Sequence, residues 1–319
     1  MNTYITLFEY VVKPILMYGC EVWGASMKEE RNFEKLGEEA WERFHLRVCK
    51  NILGVHKYTS NVAVLSEIGR YPISHDIHKQ MVKYLLRFDN MAENRIAKKC
   101  IEEQKQDHTG DHWLTRTKTF LDKLGLSYIH HFHPEETTES SSIKRLAAVT
   151  KNRENDIFEQ NLVNILDTKT AKNKGKLIFF SKLREKFAQA DYLNMTNATY
   201  RKKITQLRLS AHKLEIEVGR QKTDMGRDER ICMHCRKGEV ESEEHFLFDC
   251  PNYTEEREVL MANLISHDDR FNKNMGGIEL LREIFSSGDH TIFTLFGKSL
   301  NKYWEIRNLM CSNFPTKTT

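Results

Sequence analysis

Apolar side chains recur at intervals near 3.6 residues along most of this chain, the spacing that lines one face of a helix. Residues 3–17 follow it, with Pro14 near the end and Tyr18-Gly19 as the break. From Asn32 to Leu53 the apolar series Phe33, Leu36, Ala40, Phe44, Val48 and Ile52 predicts a helix stopped by Gly54. A short helix is expected over 60–68, then a turn at Gly69-Arg70-Tyr71-Pro72. Ile77, Met81, Tyr84, Leu85 and Phe88 predict one long amphipathic helix from Ser74 to Glu103. Trp113, Phe120 and Leu124 predict another, ending at Gly125.

The pattern lapses in HHFHPEETTESSS (130–142), which has no core periodicity and reads as a linker. Helical spacing resumes over 143–167, and KTAKNKGK (169–176) is a basic linker. Further helices are expected at 177–192, 197–214, 254–266, 277–286 and 290–311, the first two with basic faces. No repeat of fixed period occurs. The predicted fold is all-α, with one small module organised by a metal.

That module is ERICMHCRKGEVESEEHFLFDCPNY, where Cys232, Cys235, His245 and Cys250 form C-x2-C-x9-H-x4-C. Three thiolates and an imidazole satisfy the tetrahedral preference of Zn²⁺. The Cys-x2-Cys pair turns both sulfurs to one centre, and His245 and Cys250 close it. The competing reading is three reduced cysteines in an ordinary core. Against it, Glu239, Glu241, Glu243 and Glu244 make the segment too polar to form a core unaided, so a metal supplies folding energy. His234 is a weaker candidate, because a residue inside the knuckle points away from the centre. Four protein ligands leave no open position, so the predicted cofactor is structural zinc and not catalytic zinc.

Composition narrows the class. Hydrophobic residues make up 39% and charged residues 29%, with only five prolines and fifteen glycines, which suits long helices. Seven cysteines without a secretory signal point to reduced thiols, an intracellular setting in nucleus or cytoplasm, and Asn194 and Asn197 sequons without meaning. Glu9 and Lys13 interrupt the apolar N-terminal segment, so no membrane span is expected. A net charge of +4 does not by itself announce nucleic acid. Clustering says more: Arg220, Lys222, Arg227, Arg230, Arg236 and Lys237 flank the knuckle, and five of them (Arg220, Arg227, Arg230, Arg236, Lys237) are the candidate phosphate contacts. Arg201, Lys202, Lys203, Arg208 and Lys213 make a second basic stretch; Lys169 to Lys186 reads as a solvated helix face.

No active site assembles. His267-Asp268-Asp269 reads as a solvated turn, since paired Mg²⁺-binding aspartates need a hairpin and a third carboxylate. His75 and His78, and His130, His131 and His133, read as exposed polar residues. No phosphate loop, nucleophile elbow or His-Glu-x-x-His is present, so no small-molecule substrate is expected.

Three blocks in order resemble one family. FEYVVKPILMYGCEVWG (8–24) looks like the segment that closes the reverse-transcriptase domain of non-LTR retrotransposons. FHLRVCKNILGVHKYTSNVAVLSEIGRYPI (44–73) is similar to the thumb-like helices that follow there. LRLSAHKLEIEVGR and ERICMHCRKGEVESEEHFLFDCPNYTEERE resemble its C-terminal Cys-Cys-His-Cys module, including an arginine after the last cysteine, here Arg257. Residues 90–195 match only in being helical and charged. The resemblance implies a thumb-like region over 1–129, the 130–142 linker, a basic helical region over 143–223, a zinc module over 224–258 and C-terminal helices over 259–319. It implies that segment 1–24 packs on the polymerase body, so that Tyr4, Phe8, Val12 and Trp23 form an apolar patch here, a dimer surface or an aggregation liability, or else fold back on residues 33–53. The family's catalytic aspartates lie upstream of the Tyr-Gly-x-x-x-Trp block, so polymerase and endonuclease activities do not carry over.

The expected function is therefore a non-enzymatic C-terminal remnant of such a reverse transcriptase that binds zinc and RNA or DNA. The alternatives are a helical interaction or scaffold protein with purely structural zinc, and the tail of a mis-bounded full-length enzyme.

Overall fold

A computed structural model describes residues 2–27, 33–88, 90–107, 110–129, 139–166, 177–184, 186–221 and 225–313. The expectations for 130–138, for the basic linker 169–176 and for Lys222 lie outside these residues, and the last four positions of the expected 130–142 linker, 139–142, are helical and open the helix Glu139–Leu166. The fold is all-α: helices succeed one another, and among the described residues β structure is confined to two isolated antiparallel bridges, Ile68 with Gln189 and Ile231 with Val240.

In chain order, α1 (Asn2–Leu7) passes through a π turn (Phe8–Val12) into α2 (Lys13–Leu16), and α3 (Cys20–Trp23) follows the left-handed Gly19. The helix expected from Asn32 to Leu53 is divided, a 3-10 segment at Phe33–Glu38 preceding α4 (Ala40–Leu53). α5 (Asn61–Ile68) follows. The helix expected from Ser74 to Glu103 is two, α6 (Ile73–Arg87) and α7 (Ile96–Gln106). The cause is a tertiary cap: Lys98 is buried and its Nζ donates to the Phe88 carbonyl at 2.8 Å, turning the chain back where Asn90 and Asn94 favour turns. α8 (Trp113–Lys123) and α9 (Glu139–Leu166) come next.

Of the stretch 177–192 only α10 (Ile178–Leu183) is a regular helix, with a 3-10 turn at Asp191–Asn194. Between them the backbone pairs with the end of α5, Ala190 N–H donating to the Glu67 carbonyl at 3.0 Å. The helix expected over 197–214 stops early, as α11 (Ala198–Arg208). Ser210 takes φ +49°, and Ala211 N–H reaches back to the Gln206 carbonyl at 2.8 Å, a Schellman cap made without glycine. α12 (Glu215–Val218), α13 (Thr254–His267), α14 (Gly277–Ser286) and α15 (His290–Asn313) complete the chain.

The chain forms two compact units. One comprises Thr3–His45 and Tyr71–Asn161; the other comprises Met1–Asn2, Leu46–Arg70 and Leu162–Thr319. These units cut across the linear division at 129, 142, 223 and 258, because residues 46–70 join the C-terminal half. The first unit is centred on Met81, Val82, Leu85, Phe88, Leu114, Leu121 and Leu146.

The second unit is built around α5, all eight of whose residues are buried. Such a helix can be apolar all round only if neighbours enclose it. Its one carboxylate, Glu67, is neutralised inside: Arg208 Nε lies 2.6 Å from Oε1, and the Tyr192 hydroxyl donates to the same oxygen at 2.6 Å. Gly69 closes the helix at φ +68°, where a Cβ would collide with the backbone of Ala188 and Gln189. In the same unit α15 packs on α11 and α13, and places Phe293, Phe296, Leu300, Tyr303 and Trp304 inward.

Candidate metal centre

Cys232, Cys235, His245 and Cys250 converge: one donor atom from each lies within 4.8 Å of every other. Tetrahedral zinc, with about 2.3 Å to sulfur and about 2.0 Å to nitrogen, separates donors by roughly 3.5–3.8 Å. Cys235 Sγ and His245 Nε2 are already 3.4 Å apart, so the group fits a metal after a contraction of about 1 Å at most. The group can hold a metal ion. Among the described residues, no other set of Cys, His, Asp and Glu side chains converges in this way.

Local backbone explains the convergence. Residues 230–241 form a minimal hairpin: Cys232 N–H donates to the Glu239 carbonyl at 2.8 Å and Glu241 N–H to the Arg230 carbonyl at 2.9 Å. Gly238, at φ +68°, makes the return turn. His245 and Cys250 come from a π turn, His245–Asp249, whose closing bond runs from Cys250 N–H to the His245 carbonyl at 2.8 Å. In a π turn residues five apart come round to one side, whereas in an α-helix they diverge. Arg257 fastens that turn, donating to the Cys250 carbonyl at 2.8 Å.

The imidazole is already oriented. His245 Nδ1 lies 2.8 Å from Glu239 Oε2, which leaves Nε2 toward the sulfurs, the carboxylate–histidine arrangement usual behind a metal ligand. Two of the thiols are coupled: the hydrogen bond to Cys250, with burial, pushes Cys232 far above the ordinary cysteine value, and the same bond lowers Cys250. His234 stands apart from the group, its Nε2 3.5 Å from Cys311 Sγ.

The segment is less dependent on a metal than its glutamates suggest. Phe246 and Leu247 are buried, and Phe246 packs against Tyr253 at 4.9 Å and Trp304 at 4.6 Å. Each of the four glutamates has a partner, Glu239 the imidazole just described. Buried Glu241 receives the Arg307 guanidinium as a fork (2.8 and 2.9 Å) and Glu215 N–H at 2.7 Å. Buried Glu243 meets His212 Nε2 and the Ser210 hydroxyl, each at 3.0 Å. Glu244 pairs with Lys182.

The five candidate phosphate contacts separate. Arg236 and Lys237 are exposed on the hairpin, Lys237 donating to the Asp249 carbonyl at 3.0 Å. Arg227 is half-buried. Arg220 is paired with Glu217. Arg230 is buried, and donates to the carbonyls of Ile216 at 3.0 Å and Met225 at 3.2 Å; it is a strut between backbone segments. A second cationic surface lies in the same unit. The Lys202 stem lies beside Gly54, Gln206 donates to the Gly54 carbonyl, and Lys202 and Lys213 are exposed. Lys57 and the 74% exposed Tyr58 stand on the adjoining loop, the ammonium 4.9 Å from the ring centre. Lys57 and Tyr58 escape periodicity arguments because the loop that carries them has none; an exposed aromatic beside lysines is the local signal.

The other constellations are structural. Asp268 is engaged by Arg270, which lowers its carboxyl to about 2, and His267 Nε2 lies 2.9 Å from Asp289. His75 and His78 are half-buried and not exposed: His78 stacks on Phe120 at 4.2 Å, and His75 lies against Tyr71 at 5.4 Å. His130, His131 and His133 lie outside the described residues. No protein-family model, curated protein or solved structure matches the chain.

Proposed function

We propose that this chain is a non-enzymatic nucleic-acid-binding protein stapled by one zinc ion, related to the C-terminal region of non-LTR retrotransposon reverse transcriptases. The observation that carries the reading is the closed Cys232, Cys235, His245, Cys250 donor set with Glu239 already behind the imidazole. Zinc suits that soft, deprotonatable set, and with four protein ligands it stabilises the fold without offering a site for substrate. Arg236 and Lys237 on the hairpin, and Lys57, Lys202 and Lys213 on the same unit, supply cations for phosphates, while Tyr58 offers a face for an unpaired base.

The test combines metal analysis with binding to single-stranded RNA and DNA. The expected result is about one zinc per chain and an affinity that falls steeply with salt. Arg236→Glu with Lys237→Glu, and Lys57→Glu with Lys202→Glu, should each weaken binding. Protein without zinc, or binding indifferent to salt, rejects the proposal. One observation favours a scaffold instead: Arg230 and Arg220, two of the five rim cations, are committed to Ile216, Met225 and Glu217. Affinity unchanged by both charge-reversed pairs would establish that second reading.

A further inference from the structure

The N-terminal segment exposes its apolar side chains and half-buries its charges. Along α1, the π turn and α2, Tyr4 (69% exposed), Leu7, Tyr10 (80%), Val11 and Ile15 (72%) face outward, and Tyr18 in the turn before Gly19 and Val22 after it continue the exposed run. No exposed position from 3 to 26 carries a charge. Glu9, Lys13 and Glu21 are half-buried, and Lys13 is held by Glu9 at 3.0 Å and by Asp76. The opposite face is anchored: Phe8 is buried and stacks on His45 at 5.4 Å, and Trp23 meets Trp41 at 4.9 Å. Of the four residues expected in an open patch, Tyr4 alone is exposed; Phe8 and Trp23 belong to the anchored face and Val12 is half-buried.

The open face has the area of an interface. Taking about 200 Å² for a whole tyrosine and about 150 Å² for a whole aliphatic side chain, these side chains leave roughly 800 Å² exposed. The largest apolar patch of a typical monomer is about 300–600 Å², and a stable complex covers about 800 Å² on each partner.

We propose that this face is a homodimer interface, two copies pairing through the seven exposed side chains from Tyr4 to Val22 about a two-fold axis. This goes beyond the nucleic-acid reading and does not depend on it. The chemistry selects a second copy over other occupants. A helix lying on lipid needs cations beside its apolar face, and the cation here, Lys13, is spent on Glu9 and Asp76. A charged partner finds no complementary charge. An uncharged stripe of tyrosines and aliphatics complements itself: the rings cover aliphatic groups, and the hydroxyls reach water at the rim.

The experiment is sedimentation of the full chain across the micromolar range, alone and with lipid vesicles. The wild type should show a monomer–dimer equilibrium, and Tyr10→Glu with Ile15→Glu should weaken dimerisation by at least about 100-fold with unchanged circular dichroism. Should that variant misfold, Val11→Cys with Cys100→Ser and Cys311→Ser should oxidise to a covalent dimer. A wild type that stays monomeric at tens of micromolar overturns the proposal. So does a dimer that survives the charged variant, open-ended association, or a monomer that binds vesicles.

Discussion

Replacing Arg307 by methionine removes the cation that neutralises Glu241 while keeping most of the side-chain volume. The pair is nearly dry, with side-chain exposures of 7% and 2%, and both guanidinium–carboxylate contacts are short, at 2.8 and 2.9 Å. Deleting one partner of a buried pair costs about 3–5 kcal/mol, because the survivor keeps a charge that water no longer solvates. Glu241 keeps the Glu215 N–H, a single hydrogen bond from an uncharged donor worth about 1.5–3 kcal/mol, which does not replace the two-pronged cation. With a urea slope of about 1–3 kcal/mol per molar, Arg307→Met should lower the denaturation midpoint by at least about 1 M. Trp304 is the tryptophan of this unit, the other three lying in Thr3–His45 and Tyr71–Asn161, so single-tryptophan variants report the unit directly. Glu241→Gln with Arg307→Met removes both charges, and the amide oxygen can still accept the Glu215 N–H. The double variant should recover about 2 kcal/mol relative to the sum of the singles. Strict additivity, or a cost below about 1 kcal/mol for Arg307→Met alone, would refute the reasoning.

Three further outcomes are expected. Burial, outweighing the attraction of Asp76, holds His75 below its ordinary value of 6.5, so its neutral form contributes stability that is whole above that value and lost as pH falls beneath it; His75→Gln should flatten the acid side of the Tm–pH curve, and an unchanged slope speaks against this. In native protein with its metal, alkylation should reach exposed Cys100 and Cys311 and spare buried Cys20, whose thiol burial pushes up to about 11; chelation should then release Cys232, Cys235 and Cys250 to the reagent, and early labelling of those three would deny them a metal. Glu239→Gln, which weakens the support behind His245, should cost about 10–100-fold in metal affinity by competition with a chromogenic chelator, and an affinity like wild type would show that the contact is incidental.

Local chemistry made much of this molecule readable. Helix ends at Gly54, Gly69 and Gly125, the helical stretch 277–286 and the four clustered ligands all follow from spacing and residue type over short distances. What escaped depends on partners far along the chain. Nothing near Phe88 reveals that Lys98 will fold back to cap its carbonyl, and nothing near Ala190 reveals its bond to Glu67. The same holds for charge. Arg230 and Arg236 look alike in the sequence, yet one braces Ile216 and Met225 inside and the other meets solvent. Glu241 reads as a solvated acid until Arg307, sixty-six positions away, closes on it. The basic rim was therefore legible as a composition and not as a surface.

The wholly buried α5 also sets a timetable for synthesis. Its long-range partners include Arg184, Gln189, Ala190, Tyr192 and Arg208, so about 115 residues must emerge from the ribosome after Ile68 before the first of these arrives. At about 5–20 residues per second the helix waits roughly 5–20 seconds with Val62, Val64, Leu65 and Ile68 uncovered. During that interval NVAVLSEI is a natural target for a holdase chaperone.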